Sequence, residues 1–155
     1  MRSALVLTTV LAVAAAAPSA ARADVGLGLF VGEPFGLDVK IDLQRRSALD
    51  LVLGFSDVRD GRGHYGHLTY LVTPVVGRGR SINVPLRLGI GVAVFDGGGR
   101  FGDNVDVAVR APLEIGLMFK SAPLELYGEI TLLVPFVRDG VYADLDGGIG
   151  FRIYF

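Results

Sequence analysis

The chain contains no cysteine and no tryptophan, and only two of its 155 residues are histidines. Without cysteine, there can be no disulfide framework, no thiolate metal site and no cysteine nucleophile. Basic residues do not outnumber acidic ones (15 against 16), which argues against nucleic acid as a partner. After residue 23 the sequence also lacks any apolar run that approaches the length of a membrane-spanning helix.

Residues 1–23 are typical of a signal peptide. They contain a short positive start, an apolar run, a proline that ends it, and the small-x-small cleavage pattern Ala21-Arg22-Ala23. The run is shorter than the ~20 apolar residues of a helical span, so a membrane anchor is the less favoured interpretation. We expect cleavage before Asp24, secretion across the inner membrane, and one mature domain over residues 24–155.

In the rest of the chain the hydrophobic pattern has a period of two rather than 3.6. Eight stretches alternate apolar with polar or glycine residues: 25–32, 36–43, 49–56, 67–76 (less regular), 86–95, 106–119, 124–137 and 144–155. Several are near the ~9–11 residues of a tilted membrane-spanning strand. The predicted fold class is all-β, an eight-stranded antiparallel up-and-down transmembrane β-barrel. Because hydrocarbon leaves no backbone group unpaired, the first and last strands should pair with each other.

The two faces of the predicted strands differ in a way that favours lipid on the apolar side. The apolar face carries no charge, and the polar face is crowded with glycine, which makes room for larger neighbours inside a narrow barrel. A soluble lipocalin-like barrel that binds an apolar ligand is the alternative, with apolar residues inside. Aromatic residues near strand ends are expected at the membrane interfaces. They are Tyr65, Tyr70, Phe136, Tyr142, Tyr154 and Phe155.

The connections between strands are of two alternating kinds. One kind, 44–47, 77–83 and 120–123, carries Arg45, Arg46, Arg78, Arg80 and Lys120 and no acid. The other kind, 33–35, 57–66, 97–104 and 138–142, carries mixed charge and more glycine. Up-and-down connectivity puts the basic kind on the side of the termini, which in this class is the periplasm. Loops 57–66 and 97–104 are then the candidate surface for an extracellular partner. The basic turns are interpreted as ordinary solvated turns, and contact with anionic lipid head groups is the alternative.

Charged side chains accumulate on the face predicted to line the lumen. They are Asp38, Lys40, Asp42, Asp50, Arg87, Arg110, Glu114, Glu125, Glu129, Asp144, Asp146 and Arg152. So many buried charges require pairing and hydrogen bonding. The favoured interpretation is a structural ion-pair network that plugs the lumen, and the alternative is a narrow gated pore.

Evidence for catalysis or metal binding is weak. His64 and His67 flank the end of loop 57–66, where Asp57 and Asp60 are the only further candidate ligands. A lipid-modifying enzyme of the outer membrane would need a serine or acid beside a histidine, and no His-x-Ser pair exists. We therefore predict no enzymatic activity, no metal and no cofactor, and keep lipid modification as an alternative.

Two stretches carry a resemblance to a known family. The end of the chain, Gly147-Gly148-Ile149-Gly150-Phe151-Arg152-Ile153-Tyr154-Phe155, resembles the outer-membrane assembly signal, with Gly150, Phe151, Ile153 and Phe155 as the positions that carry it. Residues 28–40, with a Gly-Glu-Pro turn followed by Gly-Leu and a lysine, are similar to the first hairpin of short, functionally uncharacterised OmpA-like barrels.

The resemblance to small OmpA-like outer-membrane β-barrels implies a fold and a compartment, but no activity. It implies that the barrel-assembly machinery reads the last strand and that outer-membrane lipids surround the barrel. The predicted function is that of a small cell-envelope barrel with a structural or surface-recognition role.

Overall fold

The computed structural model describes residues 24–56, 63–96, 105–137, 140–141 and 143–155. The predicted signal peptide 1–23, loop 97–104 and positions 57–62 of loop 57–66 lie outside the described residues. Within the described part the strands are β1 (Val25–Glu33), β2 (Phe35–Gln44), β3 (Ser47–Ser56), β4 (Gly63–Arg78), β5 (Ile82–Asp96), β6 (Val105–Phe119), β7 (Leu124–Val137), β8 (Gly140–Val141) and β9 (Asp144–Tyr154). No described residue belongs to a helix long and apolar enough to cross a membrane.

The strands close into a barrel. Strands β1 to β7 each pair antiparallel with the next strand along the chain, β7 pairs with β9, and β9 pairs back with β1. The two-residue β8 only extends the edge of β7. The predicted all-β fold, a closed eight-stranded antiparallel barrel with up-and-down connectivity, is confirmed, and the wall consists of β1–β7 and β9.

The strands are strongly staggered around the wall. Directly paired residues can be followed through all eight strands: Gly26, Lys40, Asp50, Thr69, Gly91, Arg110, Leu133 and Asp144. Gly26 itself pairs across the seam with Tyr154, so one circuit ends ten residues away along β9, from position 144 to 154. In an eight-stranded barrel such a stagger goes with strands tilted by roughly 40° and an interior that side chains can fill.

One end of the barrel holds three short turns, at 45–46, 79–81 and 120–123. Backbone hydrogen bonds from Lys120 to Ser81 and from Tyr154 to Pro123 join the second of these turns to the third and the third to the last strand. Phe155 donates to the carbonyl of Val25 at the same end. We call this the turn end, and the opposite end, where Pro34 joins β1 to β2 through a cis Glu33–Pro34 bond, the loop end.

Two strands begin four residues earlier than the hydrophobic pattern predicts. β4 begins at residue 63 rather than 67, and β5 at 82 rather than 86. The β4–β5 ladder changes register between Val72 and Val75, and Pro74 lies in that irregularity, where it interrupts no regular ladder hydrogen bond. The irregularity interrupts the period of two, which is why stretch 67–76 alternates less regularly than the others.

The alternation of burial along the strands separates two chemically opposite faces. Large apolar side chains such as Leu37, Ile90 and Ile130 are more than half exposed on the outer face. Among strand residues with described side chains, the exposed acids, bases and histidines are Glu33, His64 and Arg78, each near the end of its strand. Charged side chains are instead buried along the axis.

Candidate functional site

The inside of the barrel is the site with concentrated chemistry. Its buried polar and charged side chains are Asp38, Lys40, Asp50, His67, Thr69, Arg87, Asp106, Arg110, Glu114, Glu125, Glu129, Thr131 and Arg152. Strand alternation explains how they come together, since every second residue of each strand points to the axis. We call the ion-paired residues among them, with the half-buried Asp42, the lumen network.

Arg152 on β9 is the hub of the lumen network. Its Nε donates to Asp38 at 2.7 Å, and its Nη2 donates to Asp50 at 2.8 Å and to Glu114 at 3.0 Å. Its Nη1 lies 3.5 Å from a carboxylate oxygen of Glu125. One fully buried guanidinium therefore holds carboxylates from four other strands, β2, β3, β6 and β7. The planar fork with five donors suits arginine to this role.

Arg87 on β5 extends the network toward the turn end. Its Nη1 donates to Glu114 and, at 2.6 Å, to Glu125. Both glutamates also face Arg152, so two cations and two carboxylates form a continuous buried cluster. A charge removed from such a cluster leaves its partners unpaired in a medium of low dielectric.

The network reaches the turn end through Lys40 and Tyr154. The Lys40 ammonium donates to Asp42 and, at 3.1 Å, to the Tyr154 hydroxyl, which donates in turn to Glu125. Beyond this layer, at the turn end, lies an open cavity of about 370 Å³, whose lining includes Lys40, Asp42 and Arg87.

A second cluster lies around Arg110 on β6. Its Nη1 donates to Thr69 at 2.6 Å, and its Nη2 donates to Glu129 and, at 3.0 Å, to Thr131. Thr131 also donates to Glu129 at 2.7 Å. These residues belong to β4, β6 and β7, so this cluster joins three strands.

Glycine positions decide which side chains meet. Gly28 is paired with Asp38 on one side and Arg152 on the other, and these two bond across it. Gly91 stands in the same relation to Thr69 and Arg110. Because glycine has no side chain, long residues on the two flanking strands can touch over the middle one.

The same relation occurs at Gly26, which lies between Lys40 and Tyr154. Gly116 is a diagonal variant, since a Cβ there would meet Glu125 and lie 3.1 Å from Arg87 Nη1. Glycines on the inner face therefore act as gaps that allow ion pairs and hydrogen bonds to span three strands.

Apolar and aromatic side chains pack in the described lumen toward the loop end. Tyr65, Ala93, Phe95, Ala108 and Leu133 form a buried cluster. The rings of Tyr65 and Phe95 are stacked with centroids 5.9 Å apart.

Another buried group joins this apolar packing to the lumen network. Phe30 stacks on Tyr127, whose hydroxyl donates to Asp38. His67 connects Tyr65 to Asp50, with ring nitrogens 3.3 Å from the tyrosine hydroxyl and 3.4 Å from the carboxylate.

Ten of the twelve predicted lumen residues are brought together by the contacts described. They are Asp38, Lys40, Asp42, Asp50, Arg87, Arg110, Glu114, Glu125, Glu129 and Arg152. Asp144 and Asp146 are half-buried near the loop-end start of β9, where Asp146 is paired with Thr131 of the Arg110 cluster. Asp144 accepts a hydrogen bond from the backbone of Leu145.

Sequence reasoning missed the hydroxyl groups of the site. The ten residues comprise four cations and six carboxylates, so the acids outnumber the cations that could pair with them. Tyr127, Tyr154 and Thr131 each donate to a carboxylate. The expectation that Tyr65 and Tyr154 lie at the membrane interface is wrong, because both rings turn into the barrel. Their inward phase in the period of two was the available signal.

The other predicted positions have simple placements. His64 and His67 lie on β4 rather than in a loop, one facing out beside Phe55 and the other buried in the lumen. Asp57 and Asp60 lie outside the described residues. Across the described ranges, no group of three or more histidines and acids could hold a metal ion.

The predicted assembly-signal residues lie on or beside β9. Phe151, Ile153 and Phe155 are exposed on the outer face, while Gly150 faces inward. Gly150 is paired with Tyr127, whose ring occupies the space that a Cβ at this position would need.

Comparisons of the chain with models of protein families, with curated proteins and with solved structures found no match.

Proposed function

We propose that this chain is a small outer-membrane β-barrel with a structural or surface-recognition role, and that the lumen network acts as its plug. The observation that carries the proposal is the separation of the two faces. The outer face is apolar and free of exposed charge except near strand ends, in the part of the chain with described side chains. Water would not favour such a surface, whereas lipid requires it.

The dimensions of the wall support the same environment. The eight strands of the wall have 9 to 16 residues. About 10 tilted residues suffice for the ~25 Å apolar band of an outer-membrane barrel. A closed sheet also satisfies the backbone pairing that hydrocarbon demands. A soluble barrel for an apolar ligand would need its apolar face inside, the reverse of the arrangement seen here.

The plug is supported by the filling of the lumen. Arg110, Glu114, Glu125 and Arg152 each have at most 1% of their residue surface exposed. Each takes part in ion pairs that bind several strands together, so opening a path would break several contacts at once. Such a network favours a closed lumen and a stabilising role over conduction.

The recognition part of the proposal concerns the loop end. Secretion by a cleaved signal peptide and insertion by the barrel-assembly machinery would expose loop 97–104 and the part of loop 57–66 that precedes β4 on the cell surface. Any extracellular partner would then contact these loops. The proposal includes no catalytic step, since the polar residues of the lumen are engaged with each other.

Membrane fractionation of cells that express the full chain tests the location. We expect the protein to sediment with salt-washed membranes, to require detergent for extraction, and to change gel mobility on boiling. A freely water-soluble monomer without any amphiphile would overturn the proposal.

Conductance tests the plug separately. The purified chain is added to planar lipid bilayers, and we expect no persistent openings. Reproducible openings would replace the plug by a narrow pore while leaving the membrane location intact. A variant tests the plug directly. Arg152→Met leaves the carboxylate partners of Arg152 without their common cation, so it should give more current than the wild type.

A further inference from the structure

A ring of cations surrounds the turn end of the barrel. Its members come from three separate turns: Arg45 and Arg46 between β2 and β3, Arg78 and Arg80 at the end of β4 and after it, and Lys120 after β6. All five are exposed. We call them the basic ring.

The basic ring has little acid to neutralise it. Among the described residues of the turn end, Asp24 is the exposed acid, and Asp42 is already paired with Lys40. No ion pair joins a cation of the ring to a described acid, and Lys120 donates instead to the carbonyl of Gly79. The ring therefore presents uncompensated positive charge.

The position of the ring relates it to lipid. Exposed apolar residues lie next to it on the outer face: Leu43 precedes Arg45 by two positions, and Val75 precedes Arg78 by three. The apolar surface thus continues up to the cations. Long basic side chains at the edge of an apolar surface extend their charged ends toward the polar interface.

We propose that the basic ring binds the phosphate groups of anionic phospholipids in the leaflet at the turn end. This inference rests on the proposed membrane location and adds to it a lipid class and a side of the barrel. Clustered lysine and arginine side chains close to a membrane surface attract anionic lipids, and the attraction weakens as salt shortens the screening length. Five cations around one rim are enough to select among lipids without a deep pocket.

The test measures lipid selectivity at the barrel surface. The chain is purified from host membranes and reconstituted in phosphatidylcholine vesicles with a trace of spin-labelled phosphatidylglycerol or phosphatidylcholine. We expect the anionic label to associate with the barrel about twofold or more over the neutral one. Raising salt from ~0.01 M to ~1 M, which shortens screening from roughly 30 Å to roughly 3 Å, should bring the ratio toward one.

Two variants separate charge from other effects. The neutral variant replaces every ring member by glutamine: Arg45→Gln, Arg46→Gln, Arg78→Gln, Arg80→Gln and Lys120→Gln. It should lose the selectivity, whereas the matched variant with the four arginines changed to lysine should keep it. A change of gel mobility on boiling shows that each variant is folded, since the ring is exposed and outside the lumen network.

Several results would overturn the inference. A ratio near one for the wild type, or an equal ratio for the neutral variant, removes the role of the ring. If inorganic phosphate abolishes the selectivity while chloride of equal ionic strength does not, the ring is a site for free phosphate rather than for head groups. Failure to enter vesicles at all contradicts the membrane location itself and is recognised by the missing mobility change.

Discussion

The guanidinium of Arg152 lies over the ring of Tyr127, with its central carbon 3.7 Å from the ring centroid. The same arginine and the hydroxyl of the same tyrosine both bond to Asp38. A cation, an aromatic face and a carboxylate thus form one buried triad that links β2, β7 and β9. Such a triad combines a cation–π contact with charge-assisted hydrogen bonds.

Substitution of Arg152 should therefore lower the stability of the barrel more than substitution of any other charged residue. Arg152→Met leaves carboxylates of four strands without their common cation, and we expect the free energy of unfolding to fall by about 3–5 kcal/mol. Urea titration in lipid vesicles measures it. Arg152→Lys keeps the charge but not the planar guanidinium, and it should lose less stability than Arg152→Met. Equal stability of Arg152→Met and the wild type would contradict the role of Arg152 as the hub of the network.

Gly116 tests the glycine gaps. Gly116→Ala would place a methyl group between Arg87 and Glu125, and we expect a loss of about 1–3 kcal/mol as their hydrogen bond is disturbed. Gly128→Ala is the matched control, because a Cβ there has nothing nearer than 3.9 Å. The free energy of unfolding in vesicles should be lower for Gly116→Ala than for Gly128→Ala. Equal values would show that the space left by Gly116 has no role.

Ile130 tests the outer face. It is 58% exposed in the middle of β7, and Ile130→Arg should cost about 2–4 kcal/mol in a lipid bilayer, where charge near the midplane is unfavourable. Leu43→Arg, close to the turn end, should cost only about 0–1 kcal/mol. If both substitutions are neutral when folding in vesicles is followed, the apolar face does not contact lipid.

Tyr154 tests the hydroxyl groups of the lumen. Tyr154→Phe removes the bridge between Lys40 and Glu125 and should cost about 1–3 kcal/mol, because a buried partner is left unsatisfied. Tyr70→Phe serves as the control, since that ring is exposed on the outer face. The urea concentration at the midpoint of unfolding distinguishes the two variants. A larger loss of stability for Tyr70→Phe than for Tyr154→Phe would contradict the role assigned to the Tyr154 hydroxyl.

Much of the fold could be predicted from local pattern. The period of two gave the strand count and the inner or outer orientation of residues such as Lys40 and Ile130. The period was irregular where the ladder changes register, between Val72 and Val75. It was overridden where residue type was given more weight than inward phase, as for Tyr65 and Tyr154. An aromatic ring near a strand end suits both an interface and a lumen, so composition could not decide between them.

The chain's alternation was sufficient to predict the strands and the charged character of the interior, because side-chain direction in a strand depends only on position along it. Closure of the sheet was predicted from the backbone pairing that hydrocarbon demands. The choice of partners within that interior came from the tertiary structure alone. The ten-residue stagger sets which residues of neighbouring strands lie opposite each other. The glycines at 26, 28 and 91 leave space in which side chains of the two flanking strands can meet. For that reason Arg152 meets four acids and Arg110 one, although both are inward arginines of the same sheet.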